Sequence, residues 1–174
     1  PESPGVIHTR LNCGILGPSQ CRLTWIFLFE DLGVNPEDLS RLLAELFLTI
    51  KMLSGYAPPA QLPEVHFVTL QELQEVACKG RNCKVKALYH PVKGVMINQN
   101  LDVVNDVYAR SVLMHELVHH LQHVNNKFSE EERACQRWQA REVEAYEVQH
   151  KYLKTRNMTQ SFIALDSLPI TCID

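Results

Sequence analysis

Apolar residues recur at helical spacing in two long stretches of the chain and alternate or cluster in several shorter ones. The first long stretch follows Asn35-Pro36, where asparagine is a favoured N-cap residue and proline a favoured first residue of a helix. Leucine, phenylalanine and isoleucine then repeat every three or four residues until Ser54-Gly55, a pair typical of a helix end. This pattern predicts an amphipathic helix from Pro36 to about Leu53.

Three shorter segments have the alternation or the β-branched content of strands, and they span 64–69, 85–90 and 94–98. A short helix is predicted between the first two, over 70–76. The segment Leu23–Phe29 is continuously apolar and has no diagnostic period, so it is predicted to be either a buried strand or a short core helix. Before it, the first 22 residues are rich in Pro, Gly, Ser and Asn and predict an irregular arm.

A second helical period runs from Asn105 through Leu121 and is broken at Asn125-Asn126-Lys127. After the break, Ser129-Glu130-Glu131-Glu132 has the form of a capping box, which predicts that another long helix starts there and continues to about Arg156. Residues 157–174 have no period and predict an irregular tail. Strands followed by helices in this order predict an α+β fold with a small mixed sheet and a backing helix.

The length and charge of the chain limit the classes of function. With 174 residues, of which 45% are hydrophobic, the chain suits a single domain, 1–174, with a proper core. We expect an upper lobe, 1–124, that contains the sheet, and a small helical lower lobe, 125–174. A net charge of -3 gives no basic footprint for nucleic acid, so no nucleic-acid partner is expected. No apolar run approaches the roughly 20 residues that a membrane-spanning helix needs, and the oligomeric state is left open.

Six cysteines in a short chain that begins at Pro1 indicate a mature secreted or periplasmic protein, or else a shortened chain. Two pairs of cysteines each bracket a turn that contains glycine, and the third pair follows by elimination. The predicted disulfides are Cys13–Cys21, Cys78–Cys83 and Cys135–Cys172. The alternative is that the cysteines bind zinc or remain as free buried thiols, although no CxxC spacing is present.

The second helical stretch contains His115-Glu116-Leu117-Val118-His119, which is an HExxH pattern. Histidines four residues apart lie on one face of a helix, so both can bind one zinc ion while the glutamate between them lies beside a metal-bound water. Such a short pattern can arise by chance on a surface helix, but the helical period runs straight through it and favours the zinc site. His115 and His119 are therefore predicted zinc ligands, and Glu116 is the predicted catalytic base of a zinc-dependent peptidase.

A catalytic zinc ion usually takes three protein ligands, so a further ligand is expected. The longer motif HExxHxxGxxH is absent, because Gln122 and Asn125 occupy the positions of its glycine and last histidine. The next predicted helix offers two acids. At about 100° per residue, Glu142 shares a face with Ala145, whereas Glu144 points toward charged residues. We predict Glu142 as the third ligand. One alternative is that Glu144 is the ligand. The other is that both acids belong to a solvated stripe of charged residues and bind no metal.

With these residues in place, the segment from Gly94 to Tyr152 resembles the gluzincin zinc metallopeptidases, the thermolysin-like group in which a second-helix glutamate completes the site. The ExxAD pattern of that group is matched at Glu142 and Ala145, but Tyr146 stands in the place of the aspartate. The resemblance implies a zincin-like fold, one catalytic Zn²⁺ and a peptide or protein substrate. The group's aspartate orients a zinc histidine, so this role is expected to pass to a backbone carbonyl or to Asp106.

The resemblance also implies a mechanism, in which Glu116 takes a proton from the zinc-activated water and passes it to the leaving amine. A hydrogen-bond donor for the oxyanion is expected on or near the two helices. The candidates are Tyr146, which we favour, and His150, Tyr108 and His123. The segment Gly94–Asn98 is similar to the edge strand with which an extended substrate pairs in this group.

Two other functions fit the same residues. A gluzincin-like scaffold can bind a partner or a regulator around a purely structural metal, but Glu116 then has no purpose beside the metal. A zinc hydrolase can also act on a non-peptide amide, for instance in a cell wall, because an activated water attacks any carbonyl. The substrate preference depends on the loops that line the site, and the sequence pattern does not predict how these loops are arranged.

Overall fold

A computed structural model of the chain describes residues 34–131 and 133–158. In this part the elements are α1 Pro36–Ser54, β1 Val65–Val68, α2 Leu70–Cys78, β2 Ala87–His90, β3 Gly94–Asn98, α3 Val107–Val124 and α4 Ala134–Thr155. The predicted α+β class is confirmed. The apolar segment 23–29, the N-terminal arm and nearly all of the C-terminal tail lie outside the described residues, so the predictions for them, including a single domain over the whole chain, stay predictions.

Local sequence signals determine where α1 begins and ends. The side chain of Asn35, the N-cap, accepts a hydrogen bond from the backbone N–H of Glu37 at 3.0 Å. Gly55 follows the helix in the left-handed conformation, with φ 81°, and donates its N–H to the carbonyl of Lys51. The buried face of α1 is formed by Leu42, Leu43, Leu46, Phe47 and Ile50. This face packs in the main core with residues from α3 and α4.

The sheet has the strand order β1-β3-β2, and β3 is therefore its central strand. β3 runs parallel to β1 and antiparallel to β2, which confirms the predicted mixed sheet. Val95 and Ile97 lie in the main core, and Met96 lies on the opposite face because side chains alternate along a strand. The expectation that 94–98 is an edge strand is wrong, because β1 occupies the other side of β3. Within the described residues, β2 pairs with β3 alone.

Gly94 opens β3 at a point where the neighbouring backbone leaves no room for a side chain. Its φ is +73°, a conformation that favours glycine, and a Cβ there would lie 2.4 Å from the carbonyl oxygen of Glu64. The same carbonyl accepts a hydrogen bond from the N–H of Val95 at 2.8 Å. This close approach fixes the start of β3 against the chain that leads into β1.

α3 is the central helix, and every residue from Ser111 to Gln122 is buried. It packs against α1, α4, β2 and β3. Asp106 is its N-cap and accepts a hydrogen bond from the N–H of Ala109 at 2.7 Å. The expectation that Asp106 orients a zinc histidine is therefore wrong. His115 lies nine residues further along α3, which is about 13 Å at 1.5 Å per residue.

α4 begins at Ala134 and not at the predicted capping box that starts with Ser129. Residues 125–130 form turns, in which Asn126 and Phe128 have positive φ values of 51° and 61°. Residues in the left-handed conformation interrupt a helix. The chain reverses its direction between α3 and α4 in this segment, so residues predicted to form the first turn of α4 lie before the helix instead. The end of α4 matches the prediction to within one residue.

The predicted Cys78–Cys83 disulfide is confirmed. Cys135 is also disulfide-bonded. Cys13, Cys21 and Cys172 lie outside the described residues, so the other two predicted pairs stay predictions. Among residues 34–131 and 133–158, no helix combines the length and the apolar character needed to cross a membrane.

Candidate metal centre

α3 and α4 pack side by side and bring the three predicted ligands together. His115 and His119 lie one turn apart on α3, and their Nε2 atoms are 3.1 Å apart. Glu142 approaches from α4, with one carboxylate oxygen 3.3 Å from Nε2 of His115 and the other 3.2 Å from Nε2 of His119. These three side chains, called the ligand group below, could hold a metal ion.

The donor atoms of the ligand group lie close enough together to surround one small metal ion. Ligand atoms at about 2.0–2.1 Å from a tetrahedral centre are about 3.3 Å apart. In the ligand group the two imidazole Nε2 atoms are 3.1 Å apart, and each lies 3.2 or 3.3 Å from a different oxygen of Glu142. With one donor atom taken from each residue, all three lie within 4.8 Å of one another. Two imidazoles and a carboxylate are also a donor set that catalytic zinc sites use. The residues present therefore fit zinc in their chemistry, and their donor atoms lie close enough together to share one ion.

The charges within the ligand group hold it together when no metal is bound. Burial alone would raise the pKa of Glu142, but hydrogen bonds from His115 and His119 and the charges of these histidines lower it to about 2. Burial alone would lower the pKa of His119, but the hydrogen bond to Glu142 and the charges of Glu116 and Glu142 raise it. A bound cation would compete with a proton for the imidazole nitrogen that faces Glu142.

Gln122 fixes the orientation of the His119 ring. Its Nε2 donates to the carbonyl oxygen of Arg141 and to Oε2 of Glu144, both at 2.9 Å, and neither partner can donate in return. The amide is thereby oriented with Oε1 toward Nδ1 of His119, at 2.8 Å. Because Oε1 only accepts, Nδ1 carries the hydrogen, and Nε2 of the neutral ring presents its lone pair to the ligand group.

Glu116 lies beside the ligand group and is itself buried, with 7% of its surface exposed. Burial raises the pKa of its carboxyl, and the charges of His115 and His119 and the N–H of Tyr89 oppose this increase only in part. The carboxyl therefore titrates above its usual range. This property suits a group that accepts and returns a proton near neutral pH.

A cleft of about 1030 Å³ lies between β2 and α4 and is lined by Glu116 and by the whole ligand group. β2 and the residues before it supply one wall of the cleft. The other wall comes from the face of α4 that carries Trp138, Tyr146 and Gln149. The ligand group is therefore reached through this cleft.

A protein-family profile described as "Domain of unknown function (DUF6647)" matches residues 35–167 of the chain. The chain belongs to the DUF6647 family. The matched region includes α1 to α4 and the complete ligand group. No curated protein and no solved structure matches this DUF6647 chain.

Tyr146 of the DUF6647 chain lies against the ligand group, with its ring centroid 4.3 Å from that of His115. Burial, followed by the charges of Glu142 and Glu116, raises the pKa of Tyr146, so its hydroxyl keeps its hydrogen. Tyr108 and His150 also line the cleft, but His123 does not. The role of Tyr146 toward an oxyanion stays a prediction.

Gln122 is the residue of the DUF6647 site that the sequence did not reveal. In the sequence it differs from the glycine of the longer motif and carries no other signal, except that its spacing of three residues from His119 places both on one helix face. Glu144, the alternative ligand, belongs to the same network: its Oε2 accepts from Gln122 and from the hydroxyl of Tyr56, at 2.7 Å. It faces these two residues and is not part of the ligand group.

Proposed function

We propose that this DUF6647 protein is a zinc-dependent peptidase, with His115, His119 and Glu142 as zinc ligands and Glu116 as the catalytic base. The observation that carries the proposal is a group of two imidazoles and a carboxylate whose donor atoms lie within 4.8 Å of one another, with the buried Glu116 beside them, on the wall of a cleft. Structural zinc sites usually have four protein ligands, whereas catalytic sites have three and leave a position for water. A purely structural site also gives the buried Glu116 no role.

The residues around the ligand group divide the chemistry between them. Zinc bound there would supply a Lewis acid that polarises a substrate carbonyl and acidifies water. Glu116 accepts the proton of the attacking water and returns it to the leaving nitrogen. Tyr146 donates a hydrogen bond to the oxygen of the attacked carbonyl. Gln122 holds His119 in the tautomer that exposes Nε2.

The zincin-like fold and the location are part of the same proposal. The arrangement of a small sheet, a backing helix, an HExxH helix and a following helix with a glutamate supports a gluzincin-like architecture. The strand beside the cleft is β2, so an extended substrate is expected to lie along β2 and not along β3. The Cys78–Cys83 disulfide suits an oxidising compartment, and we infer a secreted or periplasmic protein.

Hydrolysis of an unbiased peptide library by the zinc-loaded protein tests the function. We expect the wild type to cleave peptides, and Glu116→Gln to keep its fold and zinc but to lose about 100-fold or more of the rate, because general-base catalysis contributes that much. Glu147→Gln is the matched control, since Glu147 is an exposed acid of α4 that does not line the cleft. A zinc-loaded wild type that leaves every peptide intact would rule out the proposal, as would a Glu116→Gln variant with the wild-type rate.

A further inference from the structure

The cleft is basic outside its reaction centre. Among the described residues that line it, the only carboxylates are Glu116 and Glu142, whereas Lys84 and Lys86 both contribute to the wall. The segment 78–90, which leads into and includes β2, contains four Lys or Arg residues and no acid, although the whole chain has a net charge of -3. The wall of the cleft beside β2 is therefore opposite in charge to the molecule as a whole.

In the part of the chain that the structure describes, neither lysine forms an ion pair with a carboxylate. Nζ of Lys86 donates to the hydroxyl of Tyr108 at 2.8 Å and lies 4.4 Å from the centroid of the same ring. These contacts position the ammonium group at the edge of the cleft and leave its charge available to an anion.

The backbone that carries the lysines is held in place from both ends. The Cys78–Cys83 disulfide lines the cleft and joins the end of α2 to the residue before Lys84. Nε2 of Gln74, on α2, donates to the carbonyl oxygen of Cys83 at 3.0 Å. On the other side, Lys86 leads directly into β2. The two charges are thus presented by a constrained segment, which lowers the conformational cost of binding an anion there.

β2 also sets the distance from the lysines to the reaction centre. Tyr89 of β2 directs its N–H toward Glu116, and Lys86 precedes Tyr89 by three residues, which is about 10 Å along a strand. A substrate peptide in extended conformation has the same rise. With its scissile bond beside Glu116, its side chain about two to four residues away comes level with Lys86.

We propose that the cleft selects peptides that carry a carboxylate about two to four residues from the scissile bond, and that Lys84 and Lys86 are the specificity-determining residues. This inference rests on the proposed peptidase function and names its substrate class. The carboxylate can belong to an aspartate or glutamate side chain or to a free C-terminus, because both present the same anion to an ammonium group.

Binding of peptides to zinc-loaded, full-length Glu116→Gln protein tests the selectivity separately from catalysis. Three matched pools of random decapeptides serve as probes: one with a single glutamate and an amidated C-terminus, one with glutamine in its place and the same amide, and one with glutamine and a free C-terminus. We expect the first or third pool to bind about three- to tenfold more tightly than the neutral pool, with the preference reduced at high salt. The pool with the tighter binding identifies the source of the carboxylate.

The preference should disappear when Lys84→Gln and Lys86→Gln are combined in the Glu116→Gln protein. It should persist with Lys51→Gln and Lys93→Gln, which remove the same charge from exposed positions outside the cleft. Equal binding of the three pools, no binding of any pool, or an equal effect of the control pair overturns the inference. A clear preference together with a wild type that hydrolyses nothing would remove the peptidase function and leave the carboxylate selectivity. Hydrolysis of peptides without any preference for a carboxylate would support the peptidase function and remove the carboxylate selectivity.

Discussion

His119 is held at both ring nitrogens, by Gln122 at Nδ1 and by Glu142 at Nε2. A carboxylate acceptor at Nδ1 would make the ring more basic, whereas the amide of Gln122 is neutral. Nε of Arg141 also lies 3.3 Å from the same Oε1. Gln122 therefore orients the His119 ring and adds no negative charge beside it.

Replacement of Gln122 by leucine should weaken zinc binding about 10- to 100-fold, which is the usual effect of losing the hydrogen-bond partner of a ligating histidine. The leucine fills a similar volume but cannot accept from Nδ1. Zinc affinity is measured by competition with a chelator of known affinity, at a temperature where both proteins are folded. Gln74→Leu, which removes an amide of α2 that donates to Asn82 and Cys83 and not to the ligand group, should leave the affinity unchanged. Unaltered affinity in Gln122→Leu would show that orientation of His119 does not matter.

Zinc affinity should fall as the pH is lowered, because the metal binds the unprotonated imidazole. The pKa of His119 is raised above its ordinary value of 6.5, so protons compete with the metal at a higher pH than for an ordinary histidine. The loss of affinity should therefore begin at a higher pH than a histidine with the ordinary pKa of 6.5 would give. Chelator competition over a pH series measures this dependence. An affinity that stays constant from pH 8 down to about 6.5 would contradict the raised pKa.

The identities of His115, Glu116 and His119 could be predicted from sequence because their relationship is local, within two turns of one helix. The choice of Glu142 over Glu144 followed from the angular period of α4, and the positions of both side chains agree with it. Gln122 could not be assigned in the same way. Its role depends on the carbonyl of Arg141 and on Glu144, which only the packing of α4 against α3 brings near.

At the scale of elements, bounds were predictable wherever the residues at the ends determine them. Asn35, Pro36 and Gly55 mark the ends of α1, and Gly94 marks the start of β3, as the sequence indicated. The start of α4 was not predictable, because the reversal after α3 places Phe128 in the left-handed region without a local signal. The position of β3 in the centre of the sheet likewise depends on its pairing with a distant strand.

Two glycines with positive φ make a matched test of the sheet. Gly55→Ala places a Cβ in open space and should reduce the free energy of unfolding by about 1 kcal/mol, the cost of the backbone conformation alone. Gly94→Ala adds a collision with the carbonyl oxygen of Glu64 and should cost about 3 kcal/mol or more. Urea unfolding of both variants measures the difference. Equal losses would mean that β1 and β3 do not approach as closely as described.

At the scale of the molecule, helix α3 contributes residues both to the main core and to the cleft. α3 contributes apolar residues to a core that it forms with α1, α4 and the sheet, and it presents His115, Glu116 and His119 to the cleft. The sequence could predict the α+β class and the three residues of the ligand group. It could not predict which strand lines the cleft, or that Lys84 and Lys86 face it, because these features depend on contacts between distant segments.

The central claim is that ligands from α3 and α4 together bind one zinc ion. The zinc content per chain tests this claim most directly. After loading and desalting, elemental analysis should find about one zinc ion in the wild type and in the exposed-acid control Glu147→Ala. Glu144→Ala should also reach about one ion at saturating zinc, with weaker affinity because Gln122 loses a partner. Glu142→Ala should retain little. A full zinc ion in Glu142→Ala, or none in the wild type, would contradict the proposed site.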